Sequence, residues 1–184
     1  MIKKEISKII QARNSFYPRE FNGKIIEEDV IIQLLNNANF APSHRMTQPW
    51  FFKIFCGKSK KILLNEILRL NTDFSNEKIE NLKLNYDKSS HIICICIKFN
   101  NEIVPEWEEI AATAMSVQNL YISCVDSKIG GYWSTPKYCK KINDFLRLNN
   151  EERCLGFFYL GCIDIKHPRN IKRKNINDKI EWHR

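Results

Sequence analysis

Glycine is scarce in this 184-residue sequence: there are six, Gly23, Gly57, Gly130, Gly131, Gly156 and Gly161. None fall into GxGxxG or a Walker A loop, so neither a Rossmann dinucleotide site nor a P-loop is supported. The four histidines, His44, His91, His167 and His183, do not cluster, and neither GxSxG nor HExxH occurs. Seven cysteines are present, but no second Cys pair or His cluster stands at metal spacing. Cys94 and Cys96 alternate with isoleucines and are predicted to share one face of a strand. The odd count and the lack of a signal-peptide pattern predict reduced, mostly buried thiols in a cytoplasmic protein. No apolar run approaches the ~20 residues that a membrane helix needs. Glu106, Glu108 and Glu109 read as a solvated helix start rather than a paired-carboxylate site.

What is present is ordinary for a globular chain: 43% hydrophobic and 27% charged residues, at a length suited to one core. The net charge is +8, and residues 166–184 carry seven Lys or Arg against two acids. The expected organisation is therefore a domain over residues 1–165 and a basic tail over 166–184. Such a tail suits nucleic acid, membrane or a phosphate-bearing ligand. It lacks the aromatic interleaving that base stacking uses, which argues against nucleic acid.

Periodicity predicts a mixed α and β chain without regular βαβ alternation. A helix carrying Ile2, Ile6, Ile9 and Ile10 ends near Arg13. A second, begun by acids, carries Val30, Ile31, Leu34, Leu35 and Ala38. "WFFKIFCG" reads as a strand, and "SKKILLNEILRLN" as a helix capped by Ser59. The stretch from Asp73 to Ser90 reads as partly helical. "HIICICIKF" reads as a central strand. From Pro105 a long helix is unusually small-sided, with Ala111, Ala112, Ala114, Ser116 and Ser123. It suits the spine of the domain or a dimer interface. "IGGYWSTP" reads as a loop, "KYCKKINDFLRLN" as a short helix and "CLGFFYLGCID" as the last strand.

Three stretches have unusual polar content. "ARNSF" offers the Arg13 fork and the Ser15 hydroxyl, a combination that binds phosphate or merely ends a helix. "NFAPSHRMTQPW" stops the second helix at Pro42 and supplies His44, Arg45 and Gln48 before the anchor Trp50. It reads equally as a ligand loop or an aromatic plug. "GGYWSTP" reads as a backbone approach to a flat ligand or as a helix cap and turn.

The order and spacing of these stretches resemble the nitroreductase family of FMN-dependent oxidoreductases. "ARNS" matches its N-terminal motif, and "APSH" with "QPW" its second. "AATAMSVQNL" matches its long helix, "GGYWST" its glycine-rich turn and "LGFFYLG" its closing strand. The match is to the short, minimal members and runs from about Ile6 to Asp164. The resemblance implies an α+β fold, with a mostly antiparallel sheet flanked by helices, in an intertwined homodimer. It implies FMN sites built from both subunits. Arg13, Asn14 and Ser15 would hold the phosphate and ribityl chain. Phe40 and His44 would contact the flavin, His44 that of the partner, with Arg45 and Gln48 as further candidates. Trp133, Ser134 and Thr135 would contact the same flavin, and Gly130, Gly131 and Tyr132 would lie where NAD(P)H approaches. The implied activity is ping-pong hydride transfer from NAD(P)H through FMN to a nitroaromatic, quinone or similar small acceptor, with no side-chain acid or base. The base usual two positions after the Ser is Tyr17 here. Arg13, Arg19 or, from the tail, Lys172, Arg173 or Lys174 are the candidates to replace its charge. Alternatives are other flavin chemistry on the same fold, or a flavin- or nucleic-acid-binding protein without turnover.

Overall fold

The computed structural model describes residues 3–100, 102–164 and 172–184. The tail's first residues, with His167, therefore lie outside the described residues. Among the described residues, four strands form one antiparallel sheet in the order β1-β2-β4-β3: β1 is Trp50–Cys56, β2 His91–Lys98, β3 Ile129–Ser134 and β4 Glu152–Cys162. Among the described residues, five α-helices flank it: α1 Lys4–Ala12, α2 Glu28–Asn39, α3 Gly57–Arg69, α4 Asn76–Lys88 and α5 Glu106–Ser123. The α+β architecture with an antiparallel sheet is the expected one.

Two cores follow from the alternation of β2, buried on both faces. Ile92, Cys94 and Cys96 pack with Leu63, Ile67, Tyr86, Phe157 and Tyr159 beneath α3 and α4. Ile93 and Ile95 pack with Ile31, Leu34, Val117, Leu120, Phe158 and Leu160 beneath α2 and α5. Each such side chain removed from water contributes roughly 1.5–3 kcal/mol. The continuous apolar run of β2 thus reads as a strand covered on both sides. Cys94 and Cys96 do share a face. Cys94, Cys96, Cys139 and Cys154 are buried, Cys124 and Cys162 are half-buried, and Cys56 is exposed.

The helices begin where their sequence dictates, with one correction. Ser75 caps α4, its Oγ accepting the Lys78 N–H at 3.3 Å. Ser59 does not cap α3. That helix starts earlier, Cys56 holds the cap position, and the Ser59 Oγ accepts the Cys56 N–H from the third helical position.

One further expectation is overturned and another holds in part. "IGGYWSTP" is mostly strand, not loop: β3 pairs with β4 from Ile129↔Cys162 to Ser134↔Phe157. Its glycines serve packing rather than turning. A Cβ on Gly131 would stand 2.4 Å from the Phe158 ring, so the missing side chain is what lets the strand lie over that ring. "KYCKKINDFLRLN" is a 3-10 helix, Lys137–Ile142, followed by turns. Arg147, at φ 52, reverses the chain there.

Candidate functional site

The first polar stretch leaves α1 at Arg13 and runs beside β3. The Phe16 N–H donates to the Gly131 carbonyl at 3.0 Å, which pins the loop to the strand edge. The Arg13 guanidinium stands 5.2 Å from the centre of the Tyr121 ring and 3.4 Å from the Ser15 Oγ. The Tyr121 hydroxyl in turn accepts the Trp133 N–H at 2.7 Å. Asn14 donates through Nδ2 to the Ala12 carbonyl at 2.7 Å, and its Oδ1 is buried with no partner. The first and third stretches therefore meet, joined by the end of α5.

Beside this junction opens a cleft of about 750 Å³, within the range of small-molecule sites. Tyr17, Tyr132 and Ser134 form one wall, and Lys78, Asn81 and Asn85 of α4 face them. The Tyr17 and Tyr132 rings lie 4.8 Å apart at 45°. Burial pushes the Tyr132 hydroxyl above its ordinary value, with the neighbouring Tyr17 adding to the shift. It therefore remains a protonated donor at neutral pH. Thr135 is exposed past the end of β3.

The second stretch lies elsewhere. His44 Nδ1 is 2.5 Å from the Glu108 carboxylate, at the start of α5. From Glu108 to Tyr121 runs roughly 20 Å of helix at 1.5 Å per residue. Phe40 projects into solvent at 86% exposure. Trp50 anchors the loop through Nε1, which donates to Asn39 Oδ1 at 3.0 Å. Arg45, Met46 and Gln48 all have positive φ, at about 1–2 kcal/mol each for non-glycine residues. One chain thus does not bring Phe40, His44, Arg45 or Gln48 to the cleft.

Around that loop the surface is apolar. Met46, Trp107, Ile110 and Met115 are all exposed. Along α5, positions 107, 111, 115 and 118 form the stripe opposite buried Ala112, Thr113, Ser116 and Leu120. Exposed apolar groups of this kind mark an interaction surface. α1 is similar, with Ile6, Ile9 and Ile10 exposed and no residue buried. Lys172, Arg173 and Lys174 of the tail are exposed.

The family model described as "Nitroreductase family" matches residues 10–162. The chain belongs to the nitroreductase family. Among its relatives is "Putative NAD(P)H nitroreductase YfhC" of Bacillus subtilis, 27% identical over 179 residues, 94% of this chain and 91% of that one. Among solved structures, the nitroreductase-like family protein from Bacillus cereus is 25% identical, with a TM-score of 0.85 over 100% of this chain and 98% of that one. The fold is also that of the FMN-dependent nitroreductase NfnB from Mycobacterium smegmatis, solved with NADPH. That protein is 14% identical, with a TM-score of 0.74 over 97% and 98% of the two chains.

Sequence reasoning on this nitroreductase chain missed Tyr121 and the α4 face. Lys78, Asn81 and Asn85 stand at helical spacing on one side of α4, a signal hidden in a helix that is polar on most sides. Among the described residues no group of three or more His, Cys, Asp or Glu is arranged to hold a metal ion. No described helix is long and apolar enough to cross a membrane.

Proposed function

We propose that the chain is an FMN-dependent NAD(P)H oxidoreductase that passes hydride to a nitroaromatic, quinone or similar small acceptor. The observation that carries this reading is the meeting of the Arg13–Ser15 loop with β3, through the Phe16–Gly131 hydrogen bond, beside a cleft walled by Tyr17, Tyr132 and Ser134. The residues present fit the cofactor. Arg13 and Ser15 offer a guanidinium fork and a hydroxyl, side by side, for a phosphate. The buried, unpartnered Asn14 Oδ1 is an acceptor in search of a donor, which a ribityl hydroxyl supplies. Bound FMN would supply the hydride chemistry, taking hydride from NAD(P)H and returning it to the acceptor.

The chain's own residues hold and orient. Tyr17 and Tyr132 give the cleft an aromatic wall against which flat groups stack. Ser134 offers a hydroxyl on the same wall. Trp133 buttresses the strand, its backbone N–H already committed to the Tyr121 hydroxyl. Gly130 and Gly131 are buried against Phe16 and Phe158 and set the backbone behind Tyr132, which stands at the proposed approach of the nicotinamide. Thr135 marks the exit of the strand toward solvent.

The same reading explains the loop at the far end of α5. In a homodimer packed through the apolar stripe of α5, Phe40 and His44 of the partner subunit complete the cleft. Arg45 and Gln48 then lie at its rim, and the basic tail is free to cross to the other chain. One pocket used in turn by donor and acceptor gives ping-pong kinetics. The purified protein is expected to be yellow, to bleach with NADH or NADPH, and to regain colour on adding a nitroaromatic. A colourless protein that takes up no added FMN contradicts the reading.

A further inference from the structure

A second cleft, of about 740 Å³, opens beside the N-terminal part of α5, where β1 begins and β2 ends. Backbone bonds fix its frame. The Lys98 N–H donates to the Pro49 carbonyl and the Phe99 N–H to that of Glu151, each at 2.9 Å. Trp50, Phe51 and Phe99 give it aromatic walls. Three acids line it, Glu102, Glu109 and Glu151, against Lys98 as the one cation among the described lining residues. Arg153, which stands 4.5 Å from the centre of the Phe99 ring, is turned to Glu106 at 2.6 Å.

Glu109 is the informative member. Its place in "PEWEE" predicts a solvated helix start, and that expectation fails: only 1% of the residue is exposed. It is the fourth residue of α5 and reaches the floor of the cleft. One oxygen, Oε2, accepts the Asn100 N–H at 2.8 Å and so holds the turn between β2 and α5. The other, Oε1, is buried with no hydrogen-bond partner among the described residues. A buried acceptor left unpaired is costly, and more so on an acid. Oε2 alone holds the turn, so the fold does not need that cost. A donor brought from outside offsets it.

The donor is a cation of a particular shape. The three acids are not gathered closely enough to hold a metal ion. Acids spaced along a cleft with aromatic walls suit charges spaced along a chain. One ammonium meets Glu109, the methylenes lie against the rings, and a second ammonium meets the exposed Glu102 and Glu151. We propose that this cleft binds an aliphatic diamine or polyamine, with Glu109 taking one ammonium at the floor and Glu102 and Glu151 the next at the rim. The site shares no lining residue with the Tyr17–Tyr132 cleft and does not depend on the flavin reading.

The test is calorimetric titration of spermidine into the purified protein at low salt, in the wild type, Glu109→Gln and the double variant Glu102→Gln with Glu151→Gln. Gln at position 109 keeps an acceptor for the Asn100 N–H and removes the charge. Glu109→Gln is expected to weaken binding roughly ten- to hundredfold, the size of a charged hydrogen bond. The double variant, altered only at exposed positions, is expected to lose about fivefold at an unchanged melting temperature. Mg²⁺ at the concentration of spermidine is expected not to displace it. A wild type that binds no spermidine overturns the proposal, and so does unchanged affinity in Glu109→Gln. If Glu109→Gln does not fold, the double variant decides, and unchanged affinity there overturns the proposal. Displacement by Mg²⁺ at equal concentration means a diffuse acidic surface and overturns it too.

Discussion

Gly156, on β4, is where the backing of the candidate-site strand β3 is most sensitive to a single methyl group. It sits at a bulge, where the β2–β4 register slips so that Ile95 faces Gly156 and Cys96 faces Cys154. Its φ is +140, and a Cβ there would stand 2.3 Å from the Ser134 carbonyl oxygen and 2.8 Å from Trp133 Nε1. The first contact is backbone, so no rotamer relieves it. Gly156→Ala combines a glycine-only conformation, worth about 1–3 kcal/mol, with an overpacked contact of similar size. The expected loss is about 3–4 kcal/mol in guanidinium unfolding, with weaker FMN binding because Ser134 is pushed from the cleft wall. Gly57→Ala is the control. Its φ is +49 but nothing lies within 4 Å of the added carbon, so only about 1 kcal/mol of strain is expected. The reasoning is refuted if Gly156→Ala costs no more than Gly57→Ala.

Three other outcomes follow from the same geometry. Arg13→Ala removes the fork beside Ser15 and should weaken FMN roughly ten- to hundredfold, the size of a charged hydrogen bond, as read by flavin fluorescence titration; unchanged affinity denies the phosphate role. Met115→Glu places a charge on the apolar stripe of α5 and should shift the elution volume to that of a single chain, whereas an unaltered volume means that the stripe is not the interface. His91 titrates below its ordinary value of 6.5 because it is buried and then because Lys60 lies near. The unfolded chain therefore takes up a proton near pH 6.5 before the folded one does. Stability is full above that pH and declines as the pH falls through 6.5 toward the folded value. His91→Asn should flatten that decline in urea melts across pH 5–8, and an equally steep slope in the variant excludes His91 as its source.

The strands and helices were legible where burial is periodic. β2 announces itself by an unbroken apolar run rich in isoleucine, and α2 by Ile31, Leu34 and Ala38 on one face. β3 was not legible, because Gly130 and Gly131 signal a turn locally and their real cause is the Phe16 and Phe158 rings brought in from afar. The site was legible in part. Arg13 to Ser15 and β3 meet beside the cleft, joined through Tyr121 and Phe16, and their polar residues stand out in sequence. The α4 face did not stand out, since Lys78, Asn81 and Asn85 lie among other charged and amide residues. What separates them is only the direction they face. The placement of His44 at the distant end of α5 is also invisible to motif order, which lists it between two stretches that meet without it.

The central claim is that each FMN site needs two chains. Sedimentation followed at the flavin absorbance and at the protein absorbance, over a range of protein concentrations, tests it most directly. The account predicts that flavin colour travels only with the dimer, at one FMN per chain, and is lost as dilution yields single chains. A single chain that sediments with a full complement of FMN would contradict it.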